Sequence, residues 1–360
     1  MALSFLLSCS RNDDKPPEIA YVAVSHLNMR DRIASIYNKV GTLQNGERVE
    51  ILDHQKRFVK VRTSRGEIGW IEQRYLADDE THKEFEALAA EHRNDPVQAH
   101  AVARVPLNVH NAPGREADHL YQLKKDDKVA VLDRASAEKP STRPLPTPLR
   151  KKQDKEQGEQ EEAAEPPPAP LEDWLLIRDA EGHTGWVLAR MVYMDIPLDV
   201  AQYAEGQRIV AYFVLNTVHD DDAPPPMSEF NFAEVRPDQR VPRDVPQYLV
   251  LLNTPRDGQP WDYDQVRIFT WNVKRHRYET AYRDRHLFGV FPVTVGAEEF
   301  GKEGKQPVFT LRLKDDDGKV VEKKYRLIGP IVRRVLTPEE EARQRAEKAA
   351  RRATRSRKRP

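Results

Sequence analysis

Residues 20–77 alternate apolar and polar positions in runs of about five, the two-residue period of half-buried strands. Tyr21-Val-Ala-Val24 leads into Leu27, and Arg48-Val-Glu-Ile-Leu52 and Phe58-Val-Lys-Val-Arg62 follow. Gly41, Asn45-Gly46 and Arg65-Gly66 punctuate them as turns. Residues 79–93 switch to helical spacing, with Phe85, Leu88, Ala89 and His92 on one face, and Pro96 closes the segment. From about residue 197 strand signals return. They are Arg208–Leu215, Tyr248–Leu252, Gln265–Trp271, Tyr278–Tyr282, Val308–Leu313 and Val320–Tyr325, with Asp220–Pro226 read as a loop and Asp317-Gly318 as a two-residue hairpin turn. Thr337-Pro338 with Glu339–Glu341 reads as a helix start.

The strand pattern also repeats. Leu27–Asp53 aligns without a gap to Leu107–Asp133 at an offset of 80, and Val61–Trp70 aligns to Ile177–Trp186 at 116. The second copy therefore carries 36 extra residues (116 − 80). They fall in a stretch, 136–171, with eight prolines and the charged run Lys151–Glu162. Such a composition buries too little apolar surface to fold, so this insert is expected to be disordered. A chain of 360 residues with 39% apolar residues, 32% charged residues and 27 prolines suits small units joined by polar links. The reading is a mainly β chain. A leader and tether occupy 1–19, the first barrel 20–77, a helical connector 78–98 and the second barrel 99–196. A third β-rich domain spans 197–335, and a basic helical or disordered tail spans 336–360.

Leu27-Asn-Met-Arg30, Val40-Gly41, Gly46, Val49, Val61-Arg62, Gly69-Trp70-Ile71 and Tyr75-Leu76 resemble the bacterial SH3-like (SH3b) family. The second copy departs from it, with His110 in place of arginine and Asp126 in place of the turn glycine. The resemblance implies small barrels acting as recognition modules in the cell envelope, with peptidoglycan, a peptide or an envelope protein as partner. Aromatic side chains suit such a surface, because they offer large contact area at low entropic cost. The candidate groove residues are Tyr37, Phe58, Trp70 and Tyr75 in copy one, and Tyr121, Trp174, Trp186 and Tyr193 in copy two. Of these, Phe58, Trp174, Trp70 and Trp186 are expected to fill the barrels.

Leu6-Leu-Ser-Cys9 resembles a lipoprotein lipobox, which implies an acylated Cys9, a bilayer contact and an envelope location. The missing basic n-region would be explained by a start codon upstream of Met1. Lys plus Arg equals Asp plus Glu at 58 each, yet residues 339–360 hold nine Lys/Arg against four Glu. Arg351, Arg352, Arg355, Arg357, Lys358 and Arg359 form an electrostatic tail suited to an anionic surface, where each cation contributes roughly 1 kcal/mol. No aromatic residues interleave with them, so no nucleic-acid partner is expected.

Signals for chemistry are sparse. Cys9 is the single cysteine, and His-Glu-x-x-His, Walker-type and Gly-x-Ser-x-Gly motifs are absent. His276 and His286 read as parts of a solvated basic turn, and Asp220–Asp222 and Asp315–Asp317 as turns rather than Ca²⁺ loops. The expectation is a non-catalytic envelope lipoprotein with no catalytic residues, no cofactor and no metal. Two alternatives stay open: a cell-wall hydrolase with its active site in 197–335, and a cytoplasmic scaffold with a mis-set start.

Overall fold

The computed structural model describes residues 17–140, 169–226, 239–343 and 345–346. The chain is mostly β, in three seven-stranded antiparallel sheets with few helices. The first sheet contains β1 (Glu18–Val22), β2 (His26–Arg30), β3 (Lys39–Gln44), β4 (Arg48–Gln55), β5 (Phe58–Thr63), β6 (Ile68–Glu72) and β7 (Leu76–Asp78), in the order β3-β2-β6-β5-β4-β1-β7. The second contains β8 (Ala99–Ala103), β9 (Leu107–His110), β10 (His119–Leu123), β11 (Lys128–Glu138), β12 (Leu171–Arg178), β13 (Thr184–Leu188) and β14 (Val192–Met194). Its order, β10-β9-β13-β12-β11-β8-β14, repeats the first position for position. The correspondence extends to irregularities: β4–β5 slips register between Ile51 and Asp53, and β11–β12 slips between Val131 and Asp133.

The shared Gly-x-x-Gly-Trp signature has a physical origin in each of its parts. Gly66 and Gly182 sit in hairpin turns at φ of 83° and 92°, where a side chain would be strained. Gly69 and Gly185 serve close approach instead. A Cβ on Gly69 would lie 2.8 Å from Met29 Cβ and from Val40, and one on Gly185 would strike Val109 and Phe85. Asp126 takes the same left-handed turn as Gly46, with φ of 71° against 74°, so the module tolerates that replacement.

Helix α1 (Asp79–Glu91) starts where Asp78 accepts a hydrogen bond from Thr81 N at 2.8 Å. It buries Phe85 against Tyr121, edge to face at 5.3 Å. The first module keeps a core of its own around Met29, Leu43, Val49, Val59, Val61 and Ile71. The second shares one continuous core with α1 and the third sheet, which Tyr21, Ala23 and Ala77 of the first module also join. Asn45 joins the two modules, donating to the carbonyls of Val22 and Leu120 and accepting from Gln122 N.

The third sheet is a sequential meander of β15 (Arg208–Ala223), β16 (Val241–Asn253), β17 (Tyr263–Asn272), β18 (Arg277–Glu299), β19 (Lys305–Lys314), β20 (Val320–Ile328) and β21 (Ile331–Val335), preceded by the short helix α2 (Leu198–Ala201). Arg134 of β11, 8% exposed, pairs with Asp173 of the neighbouring β12 (2.6 Å) and fixes the third sheet to this module through Asp262 (3.0 Å) and the carbonyls of Gln259 and Trp261.

Several expectations change. Asp220–Asp222 belong to β15 rather than to a loop. Asp220 is buried because Trp271 Nε1 and His276 Nδ1 hydrogen-bond its carboxylate; burial opposes the charge, and those bonds hold the carboxyl below its usual range. His276 therefore serves β15, while His286 lies on β18, so the two do not converge. Asp315 caps its own turn, accepting from Asp317 N and Lys319 N, which makes the connection longer than two residues. Ser136–Glu138 and Leu171 are paired strand rather than insert, with Glu138 opposite Leu171, because β-ladder bonding runs to the end of the hairpin. The remainder of the insert, apart from residues 139–140 and 169–170, lies outside the described residues. So do Cys9 and the tail residues Arg351, Arg352, Arg355, Arg357, Lys358 and Arg359.

Candidate functional site

On the first module, Tyr37 and Tyr75 line one groove of about 320 Å³ together with His26, Leu27, Arg30 and Glu72. Strand alternation positions the charged members. Ile71 turns into the core, so Glu72 faces out beside Arg30, whose strand lies next to β6. The Arg30 guanidinium stacks over the Tyr37 ring at 4.3 Å and lies 5.3 Å from the centre of Phe58. Its Nη2 lies 3.8 Å from Glu72. Glu72 in turn meets Arg74 at 3.0 Å, and Arg74 donates to Tyr75 Oη at 2.6 Å while covering the Tyr75 ring at 4.7 Å. The result is a continuous ladder, Tyr37–Arg30–Glu72–Arg74–Tyr75. The 31–38 loop that presents Tyr37 is held by Asp31, which accepts from Asn38 N at 2.8 Å and from Arg32. The Arg32 hydrogen bond, followed by that of Asn38, lowers the Asp31 carboxyl to about 2.

Such a groove offers aromatic faces, a carboxylate and two guanidinium groups within one span. It suits a ligand carrying apolar, cationic and anionic groups close together, as a short peptide does.

The second module lacks this ladder. At the aligned positions, offset by 80 or 116, His110 replaces Arg30, Ala117 replaces Tyr37, Leu188 replaces Glu72 and Met191 replaces Tyr75. His110 Nδ1 hydrogen-bonds the Ala117 carbonyl and the ring meets Trp174 edge-on at 5.2 Å. Arg115 fastens the same loop to the buried Glu172 through two bonds of 2.6 and 2.8 Å.

The remaining expected residues scatter. Phe58 and Trp174 are buried, as expected of barrel-filling side chains. Trp70 and Trp186 are not: Gly69 and Gly185 occupy the inward positions, so period-two alternation turns each tryptophan outward to a partly exposed site. Tyr121 faces the junction between modules, stacked on His183 at 3.8 Å, and burial raises its hydroxyl to about 12. Tyr193 is 59% exposed beneath Arg104, near the third sheet rather than in a groove like that of Tyr37. Sequence reasoning left Arg30, Glu72 and Arg74 out of the groove. Arg30 was visible in the Leu-Asn-Met-Arg motif, but Glu72 and Arg74 gave no signal beyond being charged.

Residues 25–77 match the bacterial SH3 domain family SH3_3, so the first module is a bacterial SH3 domain. No curated protein matches the chain. Among solved structures it is similar to an NlpC/P60 family protein from Bacillus cereus ATCC 10987, at 11% identity and a TM-score of 0.23, covering 74% of this chain and 99% of that one. NlpC1 from Trichomonas vaginalis matches at 11% identity and 0.17, covering 79% and 98%. NlpC2 from the same organism matches at 8% and 0.16, covering 75% and 97%. These neighbours overturn the expectation that the chain is not an enzyme. At such TM-scores no residue role passes from them to this chain.

Proposed function

We propose that this is a cell-envelope protein whose first module recognises peptidoglycan stem peptide through the Tyr37–Tyr75 groove. The carrying observation is that a bacterial SH3 domain presents two tyrosines in one charged groove. The second module, with the same strand order and no ladder, serves in this reading as an SH3-type spacer. Cys9 would supply an acyl anchor, placing the protein on a membrane facing the wall; Cys9→Ser is then expected in the soluble fraction.

The test of recognition is co-sedimentation with purified peptidoglycan. Tyr37→Ala and Tyr75→Ala are each expected to weaken binding by roughly 1–3 kcal/mol, the range of interface hot spots, with unchanged folding. Wall binding that is absent, or indifferent to both changes, would overturn the groove as the recognition site.

A second reading, a cell-wall hydrolase with its active site in 197–335, is favoured by the NlpC/P60 neighbours, whose family comprises peptidoglycan hydrolases. Cys9 is the chain's only cysteine, so any such chemistry in 197–335 would use other groups. Release of new amino or reducing ends from purified wall distinguishes this reading from binding alone.

A further inference from the structure

The third sheet carries a cleft of about 460 Å³ between β17, β18 and the turn before β15. Its floor contains Arg267, a guanidinium only 2% exposed, held by the Tyr203 carbonyl at 2.7 Å and Glu205 at 2.9 Å. A buried guanidinium needs compensating anionic charge. Glu205 is shared, however, since Arg283 binds the same oxygen at 2.7 Å. The two arginines hold the Glu205 carboxyl below its usual range. Asp264, the other acid of the cleft, already accepts from Thr254 N and Oγ1. Arg285 lines the cleft, exposed, and makes no ion pair among the described residues. Three arginines thus face two carboxylates, Glu205 and Asp264, which leaves the cleft a net charge of +1 (3 − 2).

The mouth of the cleft is specially built. Opposite Tyr263–Gln265, with one residue between the paired ends, β18 runs from Arg285 to Gly289 with three. This bulge places His286 at φ 59°, a conformation costly for a residue with a side chain. It also carries Phe288, 44% exposed, onto Trp261 with ring centres 4.9 Å apart. An edge-to-face aromatic pair therefore stands beside a cluster of arginines that carries one charge more than its carboxylates.

We infer that this cleft binds an acidic saccharide, its ring against Trp261 and Phe288 and its carboxylate or phosphate on Arg283 and Arg285. Aromatic faces favour the apolar face of a sugar ring, and guanidinium groups bind either anion through charge-assisted pairs. The site lies on a different sheet from the Tyr37–Tyr75 groove, and the inference stands apart from the function proposed for that groove.

Calorimetric titration of the full chain with glucose, glucuronate, glucose 6-phosphate and inorganic phosphate tests it. One or both acidic sugars are expected to bind while glucose does not, and the tighter of the two identifies the anion. Arg285→Ala, at an exposed position, is expected to weaken that binding about tenfold or more, and Phe288→Ala to weaken it as well. Failure of both acidic sugars to bind overturns the inference. So does equal affinity for glucose or inorganic phosphate, or affinity unchanged in Arg285→Ala.

Discussion

The two modules share a strand order and differ in what surrounds them. The first closes around a core of its own and leaves its β2–β6 face open, with Tyr37 and Tyr75 in a charged groove. The second merges its core with α1 and the third sheet, and ties down the equivalent loop with Arg115 and His110. One strand order thus leaves a charged aromatic groove open in one copy and serves as a structural hub in the other. Function separates at side chains that the backbone pattern does not constrain.

The contrast can be broken most forcefully at the hub. Arg134→Ala would strand the buried Asp173 and Asp262, and a loss of about 3–5 kcal/mol is expected in urea denaturation. If its stability stays within about 1 kcal/mol of the parent, the ordinary effect of a single substitution, the hub assignment fails. Asn45→Ala removes three hydrogen bonds at the junction between modules. A loss of about 1–3 kcal/mol is expected, seen as faster amide exchange in the first module than in the second. Met191→Ala, at the second-module counterpart of Tyr75, is expected to leave wall binding unchanged; a loss equal to that of Tyr75→Ala would make the modules functionally equivalent.

The smallest effect concerns pH. The hydrogen bond that His183 Nδ1 donates to the Asp179 carboxylate raises the His183 pKa above its ordinary 6.5. Its contribution is therefore full below pH 6.5 and is lost as pH rises through the raised value. Asp179 is opposed by burial, yet its bond with His183 leaves it below 3.8, so its contribution is present above 3.8 and fades as pH falls through the lowered value. His183→Gln should flatten the alkaline slope of a melting-temperature profile, and a slope unchanged by that substitution would place the titration elsewhere.

Much of this architecture is readable in the chain, because a repeat with matching turns constrains strand order strongly. The offset of 80 carries the β4–β5 slip at Ile51 onto the β11–β12 slip at Val131, and the insert enters the matching hairpin. Less legible were features set by one-residue phase or by distant partners. Trp70 looked like core by size, but Gly69 takes the inward position beside Met29. Asp220–Asp222 looked like a loop by charge, until Trp271 and His276, more than fifty positions away in sequence, are brought to Asp220. Tyr37 and Tyr75 were identified singly as aromatics. The charges linking them come from β2, β6 and the turn after β6, and only the fold makes them neighbours.

Gln98 carries a consequence for how this molecule can be divided. Between Val290 and Thr294 the β18–β19 ladder is interrupted. There Val293 N donates to the Gln98 side chain at 2.7 Å, and Gln98 returns a bond to the Val293 carbonyl at 3.3 Å. Phe291 N is met by Asp262, which Arg134 of the second module also holds. A side chain just before β8 thus completes the backbone of a sheet almost two hundred residues away. Separating the third sheet from the second module would leave the Val293 N–H and carbonyl, and the Gln98 amide, without these partners, at the cost of unpaired polar groups. The second module and the third sheet therefore share backbone partners as well as a core, and a cut between them divides one unit rather than separating two.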